Sequence, residues 1–181
     1  EFRRVLFRSE ENNEIISGIG EIGLDRTYID TDDEWNLQKE VFSKQLYLAE
    51  KFNKPVSIHS RKTLSDIFEI LPSYKLPGIL LHWFDGNKSQ LRTAMDNGYF
   101  VSYGPLLVYA NDKQTLLTKT DPSQLLVETD GPVRFSRCFE YKTTEIMFVS
   151  SVIFCASKLL HIPYEKLLEQ IEGNSKRFLG I

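Results

Sequence analysis

The chain has 181 residues, 41% of them hydrophobic and 26% charged, and a formal net charge of −3. That is enough apolar material for one sizeable core of an ordinary soluble domain, and the balance excludes the broad basic coat of a general nucleic-acid binder. No run approaches the roughly 18 apolar residues of a membrane span or the apolar core of a signal peptide, and two cysteines without a CxxC pattern suit a reducing compartment, so a cytoplasmic address is expected.

Residues 1–9 carry arginine at three positions and no start signal, and read as a foreign or unstructured leader; residues 10–181 read as a single domain. An apolar strand is expected from Ile15 to Glu21, followed by a polar loop holding Asp25, Arg26 and Asp30. Thr31-Asp32-Asp33-Glu34 has the capping-box pattern, so a helix should start there and end near Asn53, burying Trp35, Phe42, Leu46 and Ala49 on one stripe. Pro55 opens the second strand, and Leu64–Leu71 reads as a helix ended by Pro72. The third strand is Ile79–His82, and Asn87–Asn97 is a helix with Gly98 at the left-handed position after it. Tyr99–Tyr103 is the fourth strand, Asn111–Lys119 is helical in pattern, Asp121-Pro122 is a turn, and Leu125–Glu128 is the fifth strand. The tail reads as a long helix over Thr143–Leu160, a second with Pro163 at its first position running to Glu172, and a short third restarting at Gly173-Asn174. Cys138 and Cys155 are expected to be buried apolar residues.

Each strand is followed by a helix, which means a parallel sheet covered by helices, either doubly wound or closed as a barrel. No glycine-rich phosphate loop follows any strand, and candidate ligands end several strands instead of gathering at one switch point, which favours the barrel. Five strands are visible where a closed barrel has eight, so the expectation is an α/β fold, an incomplete TIM-like (β/α) barrel with C-terminal helices.

The chemistry-bearing residues lie at strand ends. Glu21 sits among Gly18, Gly20 and Gly23, and His59, His82 and Asp130 each follow a short apolar run. Desolvating a carboxylate there is costly without a partner, and a metal ion is the commonest partner. Glu, His, His and Asp form a hard-to-borderline donor set suited to Zn, Mn or Mg, and two such ions would polarise a phosphoryl oxygen and supply hydroxide at neutral pH. Taken singly, each of the four is more often an ordinary strand-end residue.

Gly20-Glu21-Ile22-Gly23-Leu24-Asp25, Pro55-Val56-Ser57-Ile58-His59-Ser60-Arg61, His82-Trp83-Phe84-Asp85-Gly86, Glu128-Thr129-Asp130-Gly131-Pro132 and the ending Gly173-Asn174-Ser175-Lys176-Arg177-Phe178-Leu179-Gly180 resemble successive signature blocks of the TatD family of metal-dependent deoxyribonucleases. The resemblance implies a barrel of the amidohydrolase type in which Glu21 bridges two divalent ions. It also implies that His59 and His82 hold one ion, and that Asp130 holds the other and orients or deprotonates the attacking water. The family pattern begins with a His-x-His pair that is absent here, so the chain is expected to be a C-terminal fragment with unpaired first and last strands. The third histidine, His161, reads as a helix C-cap.

Smaller signals keep two readings each. Arg61 would share the face of His59 and either contact a phosphate or pair with a loop carboxylate. Trp83 either stacks on a substrate base or is core, Tyr103 ends the fourth strand near the substrate, and Glu128 is expected to orient a ligand histidine from behind. Asp25 and Asp85 read as loop braces. The function expected first is a metal-dependent phosphodiesterase acting on DNA, removing nucleotides from an end. Its rivals are an ester or amide hydrolase, including one acting on aminoacyl-tRNA, and a non-catalytic scaffold. No membrane or obligate protein partner is expected.

Overall fold

The computed structural model describes residues 11–181, so the expected leader lies outside the described residues. The chain divides into two compact units, one formed by the described residues up to Leu81 together with Phe178–Ile181, the other by His82–Arg177. Between them they carry five parallel strands, β1 (Ile19–Asp25), β2 (Val56–Arg61) and β3 (Ile79–Leu81) in the first and β4 (Phe100–Tyr103) and β5 (Leu125–Val127) in the second.

In the first unit β1 pairs with β2 and β2 with β3. Helix α1 (Asp32–Lys51) begins where its capping box predicts, with the Glu34 N–H donating to Thr31 Oγ1 and the Glu34 carboxylate accepting from the Thr31 N–H. It buries Trp35, Phe42, Leu46, Leu48 and Ala49, and its fully buried Phe42 and Leu46 each contribute about 1.5–3 kcal/mol by leaving water. The helix packs against β1, and Ile22, Leu24, Val56, Ile58 and Leu81 of the sheet are buried. Helix α2 (Leu64–Ile70) packs on β2, and Pro72 lies inside a 3-10 turn over Leu71–Ser73.

In the second unit β4 pairs with β5. Helix α3 (Lys88–Asp96) opens on a second capping box, Asn87 with Gln90, and Gly98 follows it at φ 73°. Helix α4 (Asn111–Leu117) buries Leu116 and Leu117, α5 (Val149–Leu160) packs Val152, Ile153 and Ala156, and α6 (Tyr164–Leu179) contributes Leu167 and Ile171. His161 caps α5 in the left-handed conformation at φ 54°, as its position suggested.

Four expectations need correction. Strand β1 starts at Ile19 and ends at Asp25, because Ile15 is in a turn against the Asn12 carbonyl while pairing with β2 persists to Asp25 opposite Arg61. The helix expected from Thr143 starts at Val149: Thr144 instead donates its N–H and its hydroxyl to the Val133 carbonyl, and Ile146–Phe148 form a 3-10 turn. The tail does not restart at Gly173; α6 runs through it, since burial of Leu167, Ile171 and Asn174 outweighs the roughly 1 kcal/mol that a helical glycine costs relative to alanine. Cys138 and Cys155 are half-buried free thiols, and burial pushes both above the ordinary thiol range.

Candidate metal centre

In the first unit the site begins with strand alternation. Ile22 and Leu24 of β1 and Ile58 and Ser60 of β2 are buried, so Glu21, Gly23 and Asp25 share the opposite face with Ser57, His59 and Arg61. Gly23 lies opposite His59, which places the imidazole between the carboxylates two residues to either side of that glycine. His59 Nδ1 is 2.8 Å from Glu21 Oε1 and Nε2 is 3.0 Å from Asp25 Oδ2. Gly23 is required there, because its φ is +144° and a Cβ would stand 2.0 Å from the His59 carbonyl oxygen.

Asp25 is therefore a strand residue facing the site as well as the loop brace expected of it. Its Oδ1 accepts from the Thr27 N–H at 2.6 Å, and its own N–H donates to Gln38 Oε1 at 2.8 Å. Burial alone would raise its carboxyl pKa, but the hydrogen bonds from Thr27 and His59 overcome it and hold the group below the usual carboxylate value.

In the second unit His82 follows directly on Leu81, the last residue of β3. Its Nδ1 is 2.7 Å from Glu128 Oε2, one residue past the end of β5, and its Nε2 is 3.8 Å from Asp130 Oδ1. Ser102 of β4, buried to 1% exposure, donates from Oγ to the same Glu128 oxygen at 2.7 Å and accepts the Trp83 N–H at 3.0 Å. Asp130 is held at φ 49°, and its side chain is 30% exposed.

Glu21 and Asp25 about His59 in the first unit, and Glu128 and Asp130 about His82 in the second, are carboxylate and imidazole donors of the kind that suit Zn, Mn or Mg.

The other expected site residues separate. Arg61 is exposed on the His59 face of β2. Trp83 is half-buried with its ring stacked on Phe135 at 5.4 Å between centroids, and Phe84 is core. Tyr103 does not reach a substrate surface: it is 2% exposed, its hydroxyl shares a 2.8 Å hydrogen bond with Thr120, and burial, only partly offset by that bond, pushes its phenol well above the usual range. Asp85 does brace its loop, pairing with Lys113, whose buried side chain also donates to the Phe84 carbonyl. Asp25 and Ser102 are the members that the sequence reading missed. A serine inside an apolar strand, costly to bury without a partner, was the one signal for Ser102.

A family model described as TatD related DNase matches residues 3–180. An uncharacterized metal-dependent hydrolase of Haemophilus influenzae is 39% identical over 121 residues, 64% of this chain and 46% of that protein. The deoxyribonuclease TATDN3 of Homo sapiens is 31% identical over 125 residues, 68% of this chain and 46% of that protein. The chain thus spans less than half the length of either. The crystal structure of YJJV, a TatD homolog from Escherichia coli K12, superposes with a TM-score of 0.89 at 23% identity, covering 99% of this chain and 70% of that one, and it shares the barrel-type α/β fold. By the extent of the family match, the chain belongs to the TatD related DNase family.

Proposed function

We propose that the protein carrying this sequence hydrolyses phosphodiester bonds of DNA, removing nucleotides from a strand end, with two divalent ions held by Glu21, His59, His82 and Asp130. The observation that carries the reading is the pairing of imidazole with carboxylate at the strand ends of each unit, His59 with Glu21 at 2.8 Å and His82 with Asp130 at 3.8 Å. Support comes from the family, whose human relative TATDN3 is named a deoxyribonuclease. Bound divalent ions polarise a phosphoryl oxygen and make water acidic enough to attack at neutral pH. Glu21, the more exposed carboxylate on His59, would be a metal ligand, and Asp130, beside His82, would accept the proton of an attacking water. Arg61, exposed on the His59 face, takes a substrate phosphate, and Trp83 borders the base nearest the scissile bond. No single described helix is long and apolar enough to cross a membrane, and we assign the protein to the cytoplasm.

The test is nucleotide release from end-labelled single-stranded DNA by the full-length protein with Mg²⁺ or Mn²⁺. Glu21→Ala and Asp130→Ala should each abolish release. Turnover of aminoacyl-tRNA or small amides with none on DNA would replace the phosphodiesterase reading by the ester or amide one. Release that survives Glu21→Ala would remove the site.

A further inference from the structure

We infer that Ser102 and Glu128 are positioning residues for His82, fixing both its place and its tautomer so that Nε2 presents a lone pair toward Asp130. The inference rests on the proposed metal site for its purpose, though not for its geometry.

The direction of the hydrogen-bond chain is forced from one end. The Trp83 backbone N–H can only donate, and it donates to Ser102 Oγ at 3.0 Å. The Ser102 proton is directed onward to Glu128 Oε2 at 2.7 Å. His82 Nδ1 lies 2.7 Å from that same oxygen, which is already accepting, so Nδ1 carries a proton and donates it. A neutral imidazole then has its lone pair on Nε2, facing Asp130 Oδ1 at 3.8 Å. An imidazole lone pair and a carboxylate oxygen are both ligand types for a divalent cation.

Ser102 also accepts the Phe84 N–H on its own carbonyl at 3.0 Å. One residue of β4 thus holds both peptide N–H groups that follow His82: Ser102 sets where the histidine's backbone lies, and Glu128 sets which way the ring points. The assembly is largely screened from solvent, with His82 and Glu128 side chains 14% and 15% exposed. The other Glu128 oxygen, Oε1, is buried without a hydrogen-bond partner, so the carboxylate's bonding is committed to the oxygen that faces His82 and Ser102. Carboxylates placed behind metal-bound imidazoles act in this way, and their removal costs about 10–100-fold in metal affinity.

The experiment is imidazole ¹⁵N NMR of the full, metal-free chain at pH 8. With three histidines in the sequence, His59→Gln and His161→Gln assign the spectrum. His82 should appear as the neutral Nδ1–H form; Glu128→Ala should move it toward Nε2–H, the form that free imidazole side chains favour in water. Glu128→Gln, whose amide oxygen still accepts, should retain Nδ1–H. Titration with Mn²⁺ should show affinity lowered about 10–100-fold by Glu128→Ala. Ser102→Ala should keep the tautomer and lower affinity by a smaller factor, and it answers the question if Glu128→Ala does not fold. An Nε2–H or imidazolium His82 in the unaltered chain, or an unchanged tautomer in Glu128→Ala, overturns the inference. Unaltered Mn²⁺ affinity in Ser102→Ala removes Ser102 from it. A chain with Nδ1–H His82 that binds no Mn²⁺ refutes the metal site and supports the positioning device.

Discussion

Asn174 is the buried polar group whose loss should be felt most. It is 0% exposed on α6, and its amide nitrogen donates to the carbonyls of Pro122 at 2.8 Å and Leu125 at 2.7 Å. Its Oδ1 accepts from Gln170 at 2.8 Å and from Arg177 at 2.9 Å. The amide thus anchors the start of β5, the strand whose far end delivers Glu128 and Asp130. Replacing it by alanine leaves two carbonyls without that donor in a dry site, and each orphaned buried group costs about 1–3 kcal/mol. Allowing for relaxation, the expected loss is about 2–4 kcal/mol. With a urea m-value of about 2 kcal/mol/M, the unfolding midpoint falls by roughly 1–2 M. Asn174→Asp should lose at least as much, because a carboxylate keeps the acceptors but turns an oxygen toward two carbonyl oxygens. Urea unfolding of the three chains, followed by circular dichroism, decides it. An Asn174→Ala chain within about 0.5 kcal/mol of the parent, the range of ordinary surface changes, would refute the argument.

Two further perturbations test the frame of the first unit. Gly23→Ala places a methyl where a Cβ stands 2.0 Å from the His59 carbonyl, at a φ that costs other residues about 1–3 kcal/mol by itself; thermal unfolding should show a larger loss than that, and Mn²⁺ titration a weakened site. Thr31→Ala removes the N-cap of α1 and should cost about 1 kcal/mol at neutral pH. Hydrogen bonds from the Asp30 N–H, then from the Thr31 hydroxyl and N–H, hold the Glu34 carboxyl below its ordinary 4.5. Its contribution is therefore full above that value and lost as pH falls through the lowered one, so Glu34→Gln should flatten the acid side of the stability profile.

What could be read from the sequence divides along the range of the interactions concerned. The capping box at Thr31 was legible because donor and acceptor are three residues apart, and the stripe of Trp35, Phe42, Leu46 and Ala49 because helical spacing is local; the box at Asn87 has the same spacing but was read only as a helix start. The ligand-bearing strand ends were legible from apolar runs that stop at a carboxylate or imidazole. The continuity of α6 was not, because Asn174 is held by carbonyls 49 and 52 positions away and only that pairing makes a Gly-Asn step tolerable inside a helix. Strand β1 was misplaced for a related reason. Its glycines look like terminators, whereas Gly23 is there to let β2 approach, which register alone reveals. Asp25 was lost with the strand end, and Ser102 could not be joined to Glu128 before β4 and β5 were paired.

That pairing logic assigns different tasks to the two carboxylates on His59. A neutral imidazole carries one proton, yet both of its nitrogens face acceptors, Glu21 at 2.8 Å and Asp25 at 3.0 Å. Asp25 is the fixed one: its side chain is 23% exposed against 46% for Glu21, and its Oδ1 is already held by the Thr27 N–H. In the neutral ring the Nε2–H then goes to Asp25, and Nδ1 is left facing Glu21. Asp25 stands to His59 as Glu128 stands to His82, which implies that Asp25→Ala should lower Mn²⁺ affinity by about 10–100-fold without removing a ligand. Glu21→Ala, which removes one, should abolish tight binding, and the two losses should separate in a calorimetric titration of the full chain. If Asp25→Ala binds Mn²⁺ as the parent does while Glu21→Ala does not, Asp25 serves only the turn at Thr27 and the parallel between the two histidines fails.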